Sequence, residues 1–515
     1  MLDRLSHALR TDHPERPAIL RHTALGTVRP VIRRGDLADL ADLYAAALHA
    51  RGLGPGGPGP DPGPGATVGV AVRPGPHALA VMLAAHRLGL RIAVLDPSAG
   101  PDVLAARLAL ARPDLVLADA AAQAVAGWAR PLAHRADLAL PQLTALGPVA
   151  TVGRRLPGCA PRLRPADNSA PPAPTVGPPA LSAPSALSAD DDRDSGDAVI
   201  VFTSGTTARP RAVVHTRAGL AVGLRTVADL VRPRPGTVVL GGTFFVLVPA
   251  LAAGAAVVLP ARRPAAIGRQ LARLSPAHTY LTPPQLRAAL ATGARFTGRV
   301  WTGSAPADAA LLRRVKQSGA DQAWSVYALT ELFPAAAVEE AEKSAHDGNG
   351  DLVGHPLPGV RARLADDGEL QLTGPGARHR YLGEEPDPWI RTGDRATLTP
   401  DGRIVLAGRL KDMVLRRAEN IYPGLYEPAL HVPGVELVVL VGVPDGNGDE
   451  RLVALVQPAP GADPQHLRTA LRGPLDRMGF ARPDAVLFGT VPLAGRSRKP
   501  DRSAASTYCA RELAR

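Results

Sequence analysis

The stretch Ala198-Val199-Ile200-Val201-Phe202-Thr203-Ser204-Gly205-Thr206-Thr207-Ala208-Arg209-Pro210-Arg211 decides how the chain is read. Its first five residues are an uninterrupted apolar run of the kind found in strands covered on both faces. Hydroxyls and a glycine then crowd onto a tight turn, and two arginines follow. Small residues let backbone N–H groups approach a polyphosphate, hydroxyls donate hydrogen bonds to it, and guanidinium groups balance its charge. The same letters also suit a Ser/Thr-rich hairpin turn. The loop is not a Walker A loop, because GxxxxGK[ST] is absent.

Upstream, strand and helix patterns alternate. Val68–Val72 reads as a strand, His77–Leu88 as a helix and Arg91–Leu95 as a second strand; another helix and a strand at Leu115–Leu117 follow. That alternation predicts a parallel sheet covered by helices. Downstream, strands are expected at Thr237–Leu240, Ala255–Leu259, His278–Leu281 and Arg299–Thr302. Beyond Gly408 the pattern changes to a short hairpin, strands at Val435–Val443 and Arg451–Val456, a helix near Gln465–Leu471 and a basic tail. This reads as a small α+β domain. Two low-complexity segments, Gly52–Gly65 and Pro157–Asp197, read as loops or insertions. The first contains GxGxxG at Gly54–Gly59, but it follows no strand and its prolines remove backbone donors, so a dinucleotide site is not expected there.

At 515 residues the chain is too long for one compact core. Aromatic residues make up only 3% of it, so Leu, Val and Ala must do most of the packing. The formal charge of +12 comes mostly from arginine, without a run of five basic residues. It is read as compositional bias, with no nucleic-acid partner expected. Cys159 and Cys509 match no metal spacing and are expected as free thiols in a reducing cytoplasm. The polar opening Met1-Leu2-Asp3-Arg4 predicts no secretion signal, and no apolar run reaches a membrane span, so a cytoplasmic chain is expected.

Further short motifs follow in order: Gly303-Ser304-Ala305-Pro306 after a strand; Tyr327-Ala328-Leu329-Thr330-Glu331; Trp389-Ile390-Arg391-Thr392-Gly393-Asp394; Gly408-Arg409-Leu410-Lys411-Asp412; Asn420-Ile421-Tyr422-Pro423 with Glu427; and Gly495-Arg496-Ser497-Arg498-Lys499-Pro500-Asp501-Arg502. Each alone has an ordinary reading, such as a helix cap for Thr330-Glu331 or a strand-end turn for Asp394. With the Thr203 turn, the ordered set resembles the adenylate-forming superfamily of acyl-CoA synthetases, luciferases and peptide-synthetase adenylation domains.

The resemblance implies an α/β fold: a large N-terminal domain over residues 1–408, with parallel-type sheets covered by helices and a β-barrel-like part, and a small mobile α+β domain over 409–515. It implies that Thr203, Ser204, Gly205, Thr206, Thr207 and Arg211 hold phosphates, and that Gly303, Ser304, Ala305 and Pro306 line the adenine and acyl sites. Tyr327 would stack on adenine, Thr330 would contact the α-phosphate, and Glu331 would help hold Mg²⁺. Asp394 would accept from the ribose hydroxyls and Arg409 would reach the nucleotide. Lys411 would be the hinge and Lys499 the catalytic lysine. The residue types suit those roles: a flat ring for a base, a hydroxyl for phosphate, a hard carboxylate oxygen for Mg²⁺. The chain departs from the family pattern in five places. Ala208 and Ala212 replace glycines, and Arg211 replaces a lysine. Arg498 stands where a glycine precedes the lysine, and Arg417-Ala418 stands where a Gly-Gly pair is usual, Ala418 beside the pantetheine tunnel.

The reaction implied is attack of a carboxylate on the α-phosphorus of ATP, releasing pyrophosphate, and then transfer of the acyl group to the thiol of CoA or of a carrier-protein pantetheine. A carboxylate is already ionised at neutral pH, so no general base is required and His215 is expected to be structural or a wall of the acyl site. The expected acyl-site stretch Gly242–Pro249, with Phe244 and Phe245, is apolar and holds no aspartate to pair with a substrate amine, which favours a fatty or other hydrophobic acid. Alternatives are a ligase loading an acyl carrier protein, a β-lactone-forming relative and a non-catalytic nucleotide binder.

Overall fold

The structure is a computed structural model. It describes residues 1–22, 27–55, 66–95, 101–126, 147–164, 196–203, 211–416, 419–445, 450–494 and 498–514, the side chains of 101, 102 and 420 excepted. The chain forms two compact units, Met1–Leu259 with Pro375–Pro388, and Pro260–Gly374 with Trp389–Arg515.

In the first unit, Thr67–Ala71 is buried along its whole length and pairs in parallel with Arg91–Val94 on one side and Leu115–Asp119 on the other. Such a strand has no solvent face, which is why its sequence runs apolar without alternation. Asp197–Phe202 pairs in parallel with Arg91–Val94, and Val149–Val152 with Leu115–Asp119. Ala212–Thr216 folds back antiparallel on Asp197–Phe202, and Arg380–Tyr381 joins it at the edge. Small and branched side chains close the core beneath, with Ala71, Ala93, Leu95, Leu104, Val116 and Ile200 in one cluster. At the edge the Arg380 guanidinium forks onto Asp197 at 2.9 and 2.7 Å, and Arg91 adds a third contact at 3.0 Å. The same unit pairs Val238–Leu240, Ala256–Val258 and Pro17–His22 in parallel. Val28–Arg33 lies antiparallel beyond Pro17–His22.

The second unit opens with the parallel strands His278–Tyr280, Arg299–Gly303 and Gln322–Tyr327. From Ala336–Glu339 onward the ladder is antiparallel through Asp351–Pro356, Ile404–Arg409, Ile390–Leu398, Glu369–Thr373 and Arg361–Leu364. Past Gly408 come the hairpin Val414–Arg416 with Glu419–Ile421, and a sheet of Val435–Pro444, Glu450–Pro458 and Ala485–Phe488. Side chains alternate across this sheet with the period of two that a strand imposes. Val438, Leu440 and Leu452 pack with Leu467 and Leu471 of helix Pro464–Arg477, while Val439, Val441 and Val453 pack with Ala505 and Cys509 of helix Arg502–Leu513. Among the described residues no helix is long and apolar enough to cross a membrane.

Candidate active site

Strand Arg299–Gly303 sets Gly303 opposite Val326. A Cβ on Gly303 would stand 2.9 Å from the Val326 carbonyl oxygen, so the two backbones approach too closely for any side chain. The next residue, Ser304, is left-handed at φ 70, and its Oγ lies 3.1 Å from the Tyr280 hydroxyl. Ala305 and Pro306 continue this turn.

Tyr327 ends its strand with its hydroxyl donating to Asp394 Oδ2 at 2.5 Å. Burial, then the Asp394 charge, pushes the phenol pKa well above its ordinary value. Asp394 and Arg409 face each other across neighbouring strands, and Arg409 Nε meets Asp394 Oδ1 at 2.7 Å. Arg409 also donates to the Thr392 carbonyl at 3.4 Å, and the Thr392 hydroxyl accepts from the Asp394 amide at 3.0 Å. Asp394 is only 5% exposed. Burial raises its pKa in spite of the opposing pull of Arg409, Tyr327 and Lys499.

Lys499 lies on the two-residue strand Lys499–Pro500, paired with Leu493–Ala494. The residue is exposed overall, yet its ammonium stands among other charges: burial and then Arg409 lower its pKa, Lys411 adds to that, and Asp394 opposes it. Arg498, where the family pattern has glycine, is left-handed at φ 47. The structure thus brings Tyr327, Asp394, Arg409 and Lys499 together from four separate sequence motifs, with exposed Lys411 in the adjoining turn Leu410–Asp412. Thr330 and Glu331 are half-buried in the non-helical connection after Tyr327, so the helix-cap alternative does not apply.

Thr203, Arg211, Phe244 and Phe245 belong to the other unit. The Thr203 amide donates to the Arg211 carbonyl at 3.0 Å and closes the base of the expected phosphate loop. Arg211 stacks over the Tyr381 ring at 4.0 Å and reaches Glu384 at 3.5 Å. Ser204, Gly205, Thr206 and Thr207 lie outside the described residues, as do Arg417 and Ala418. Phe244 and Phe245 begin helix Phe244–Ala252, half-buried, with their rings edge to face at 6.2 Å. His215 is 1% exposed, within strand Ala212–Thr216.

Among the described residues no group of three His, Cys, Asp or Glu side chains converges to cage a metal. One carboxylate such as Glu331 fits Mg²⁺, which keeps several waters and is usually held through one or two carboxylates together with substrate phosphates.

One arrangement gave no sign in the sequence. Arg502 forks onto Glu427 at 2.6 and 2.8 Å, donates to the Leu440 carbonyl and meets Asp412 at 3.1 Å. Burial works against this cation, but Glu427 and then Asp412 more than offset it and hold its pKa above the ordinary value. The clamp joins the turn that holds Lys411 to the helix that follows Lys499. Its three residues sit in three motifs whose spacing carries no pairing signal.

A family model described as AMP-binding enzyme matches residues 11–384. An indoleacetate–CoA ligase of Aromatoleum aromaticum is 28% identical over 345 residues, 59% of this chain and 66% of that ligase. A fatty acid–[acyl-carrier-protein] ligase of Streptomyces coeruleorubidus is 35% identical over 160 residues, 27% of this chain and 30% of that protein. Each match therefore spans less than two thirds of the relative's length. Among solved structures, an amide bond synthetase from Marinactinospora thermotolerans has the same fold, with a TM-score of 0.73 at 23% identity over 99% of both chains.

Proposed function

The chain belongs to the AMP-binding enzyme family, and we propose that it is an ATP-dependent ligase that joins a hydrophobic carboxylic acid to AMP and then passes the acyl group to a thiol, most simply that of CoA. The observation that carries this reading is the cluster of Tyr327, Asp394, Arg409 and Lys499. It offers a flat ring, a buried hydrogen-bond acceptor and two cations, the groups that a nucleotide and a reacting carboxylate need.

In the first step a substrate carboxylate oxygen bonds to the α-phosphorus, and the bond from that phosphorus to the bridging oxygen of pyrophosphate breaks. The obstacle is charge, since an anion must approach a polyanion. Tyr327 provides the platform for the adenine, and Asp394 accepts from the ribose hydroxyls while Arg409 fixes the carboxylate's orientation. Lys499 meets the charge that gathers between the substrate oxygen and the phosphate, an interaction strengthened where protein replaces water. Thr330 donates to the α-phosphate. Glu331 would hold Mg²⁺, which when bound neutralises phosphate charge. The loop from Thr203 to Arg211 is assigned to the remaining phosphates. In the second step, residues 409–515 turn about Lys411, and the thiol sulfur attacks the acyl carbon as AMP leaves.

The apolar start of helix Phe244–Ala252 supports a hydrophobic acid. The names of the relatives include CoA and carrier-protein ligases, and both acceptors deserve assay. The decisive experiment is ATP–pyrophosphate exchange across a panel of carboxylic acids, followed by product analysis with and without CoA. Acid-dependent exchange is expected, and Lys499→Ala should lower it at least about a hundredfold. Exchange retained in that variant rejects the lysine assignment. No exchange with any acid favours the nucleotide-binder alternative.

A further inference from the structure

Lys499 and Asp394 influence each other across the chain in the pose seen here, so the contacts that hold residues 409–515 in this pose bear on the proposed chemistry. Two of them are contacts between ionisable side chains made by one helix and its N-cap. Asp308, the N-cap of helix Ala309–Gln317, lies 3.6 Å from His431, and Arg314 of the same helix lies 3.6 Å from Glu436. The two anchor points are six residues apart, about 9 Å along a helix axis. His431 and Glu436 flank the start of strand Val435–Pro444.

The His431 contact has a defined chemistry. His431 Nδ1 faces the Glu427 carbonyl at 3.0 Å and must donate there. Nε2 then meets Asp308 with a proton only when the ring is the imidazolium. Asp308 is fixed on its other sides: Oδ2 accepts from Arg287 at 3.0 Å, and Oδ1 accepts from the Leu311 amide at 2.7 Å. Its carboxyl is held down at about 2; burial pushes it up, but the charges of His431 and Arg287 and the two hydrogen bonds outweigh that. Arg314 and Glu436 form a second, more solvated pair, with the arginine 41% and the glutamate 12% exposed.

We propose that His431 and Glu436 are positioning residues that grip helix Ala309–Gln317 and hold the C-terminal region in its lysine-in pose, so that they serve the adenylating step and not the thiol-transfer step. This rests on the two-step reading above. A contact made in one pose and broken in the other shifts the balance between them by the free energy of that contact. Neither residue touches Tyr327, Asp394, Arg409 or Lys499 in this arrangement, so losing them should lower the rate of exchange without weakening ATP binding.

The test compares wild type with a His431→Ala/Glu436→Ala double variant, which leaves the Asp308–Arg287 pair and the helix cap in place. Exchange should fall about tenfold. The dissociation constant for ATP should stay as in wild type, and thioester formation from supplied acyl-AMP and CoA should be unchanged or faster. Loss of ATP binding or of thiol transfer in parallel with exchange would overturn the proposal, and so would undiminished exchange. A charge reversal guards against damage to the fold: Arg314→Glu alone should lower exchange, and adding Glu436→Arg should restore it. Failure of that rescue counts against the latch. Wild-type enzyme without acid-dependent exchange would instead overturn the ligase reading itself.

Discussion

Two aspartates, one in each compact unit, meet arginine in opposite ways. Asp197 is gripped by two guanidinium groups, Arg380 through both oxygens and Arg91 through one. Burial pushes its pKa up, but Arg380 and then Arg91 more than offset that and hold it below the ordinary carboxylate value. Asp394 has one guanidinium, from Arg409, and a phenol from Tyr327, and there burial prevails and its pKa is raised. A carboxylate whose partners outweigh its desolvation serves as a structural rivet. One left short of partners in a buried place gains from a ligand that brings its own donors, as ribose hydroxyls do. The contrast separates a residue that holds the fold from one proposed to hold a substrate.

Asp394→Asn should break the comparison most visibly. Losing two hydrogen bonds to a charged acceptor should weaken ATP use about a hundredfold, measured as kcat/KM for ATP in exchange. Stability should hold or rise. Because the folded-state pKa of Asp394 lies above its unfolded value, the wild type loses stability as pH climbs through that raised pKa. The asparagine variant should lack that decline in melting temperature measured against pH. A large fall in melting temperature would make Asp394 a second rivet and remove the contrast.

Asp197→Asn should do the reverse. Removing a largely buried partner of two arginines should cost roughly 3 kcal/mol. Exchange per folded molecule should be unchanged. The pH dependence has the opposite sign: with the folded-state pKa below the unfolded one, the stabilisation is present above the ordinary carboxylate range and is lost as pH falls through the lowered value. The variant should therefore show a shallower acid limb in thermal melts. An unchanged melting temperature would mean that the three contacts contribute nothing net.

How far the sequence could be read follows the same physics. Thr67–Ala71, Arg91–Val94 and Asp197–Phe202 were legible within a residue or two, because strands of an interior parallel sheet carry unbroken apolar runs. The antiparallel strands Arg361–Leu364 and Glu369–Thr373 were not, since RARL and ELQLT put charge and leucine side by side and their pairing depends on partners far along the chain. The members of the Asp394 cluster could be picked out only through resemblance to a family, for no spacing joins residues 327, 394, 409 and 499. His431 and Tyr280 fell outside every motif, and a single histidine or tyrosine carries no signal of what it will face. The substitution of Arg498 for glycine was visible, but that it would sit at φ 47, in the region glycine favours, needed the backbone.

Tyr327→Phe should have the smallest effect and sharpens the comparison most. It leaves the ring that would stack on adenine and removes only the hydroxyl that donates to Asp394 at 2.5 Å. That hydrogen bond is one of the influences that lower the Asp394 pKa, so its loss must carry the value further up. The acidic limb of the exchange rate against pH should therefore move to higher pH, with a loss of about fivefold near neutrality, the weight of one ordinary hydrogen bond. The limb should not move when the same substitution is made in the Asp394→Asn background, where no carboxyl remains to titrate. If it moves there too, the titrating group is not Asp394, and the reading of this carboxylate as one waiting for ligand donors would have to be given up.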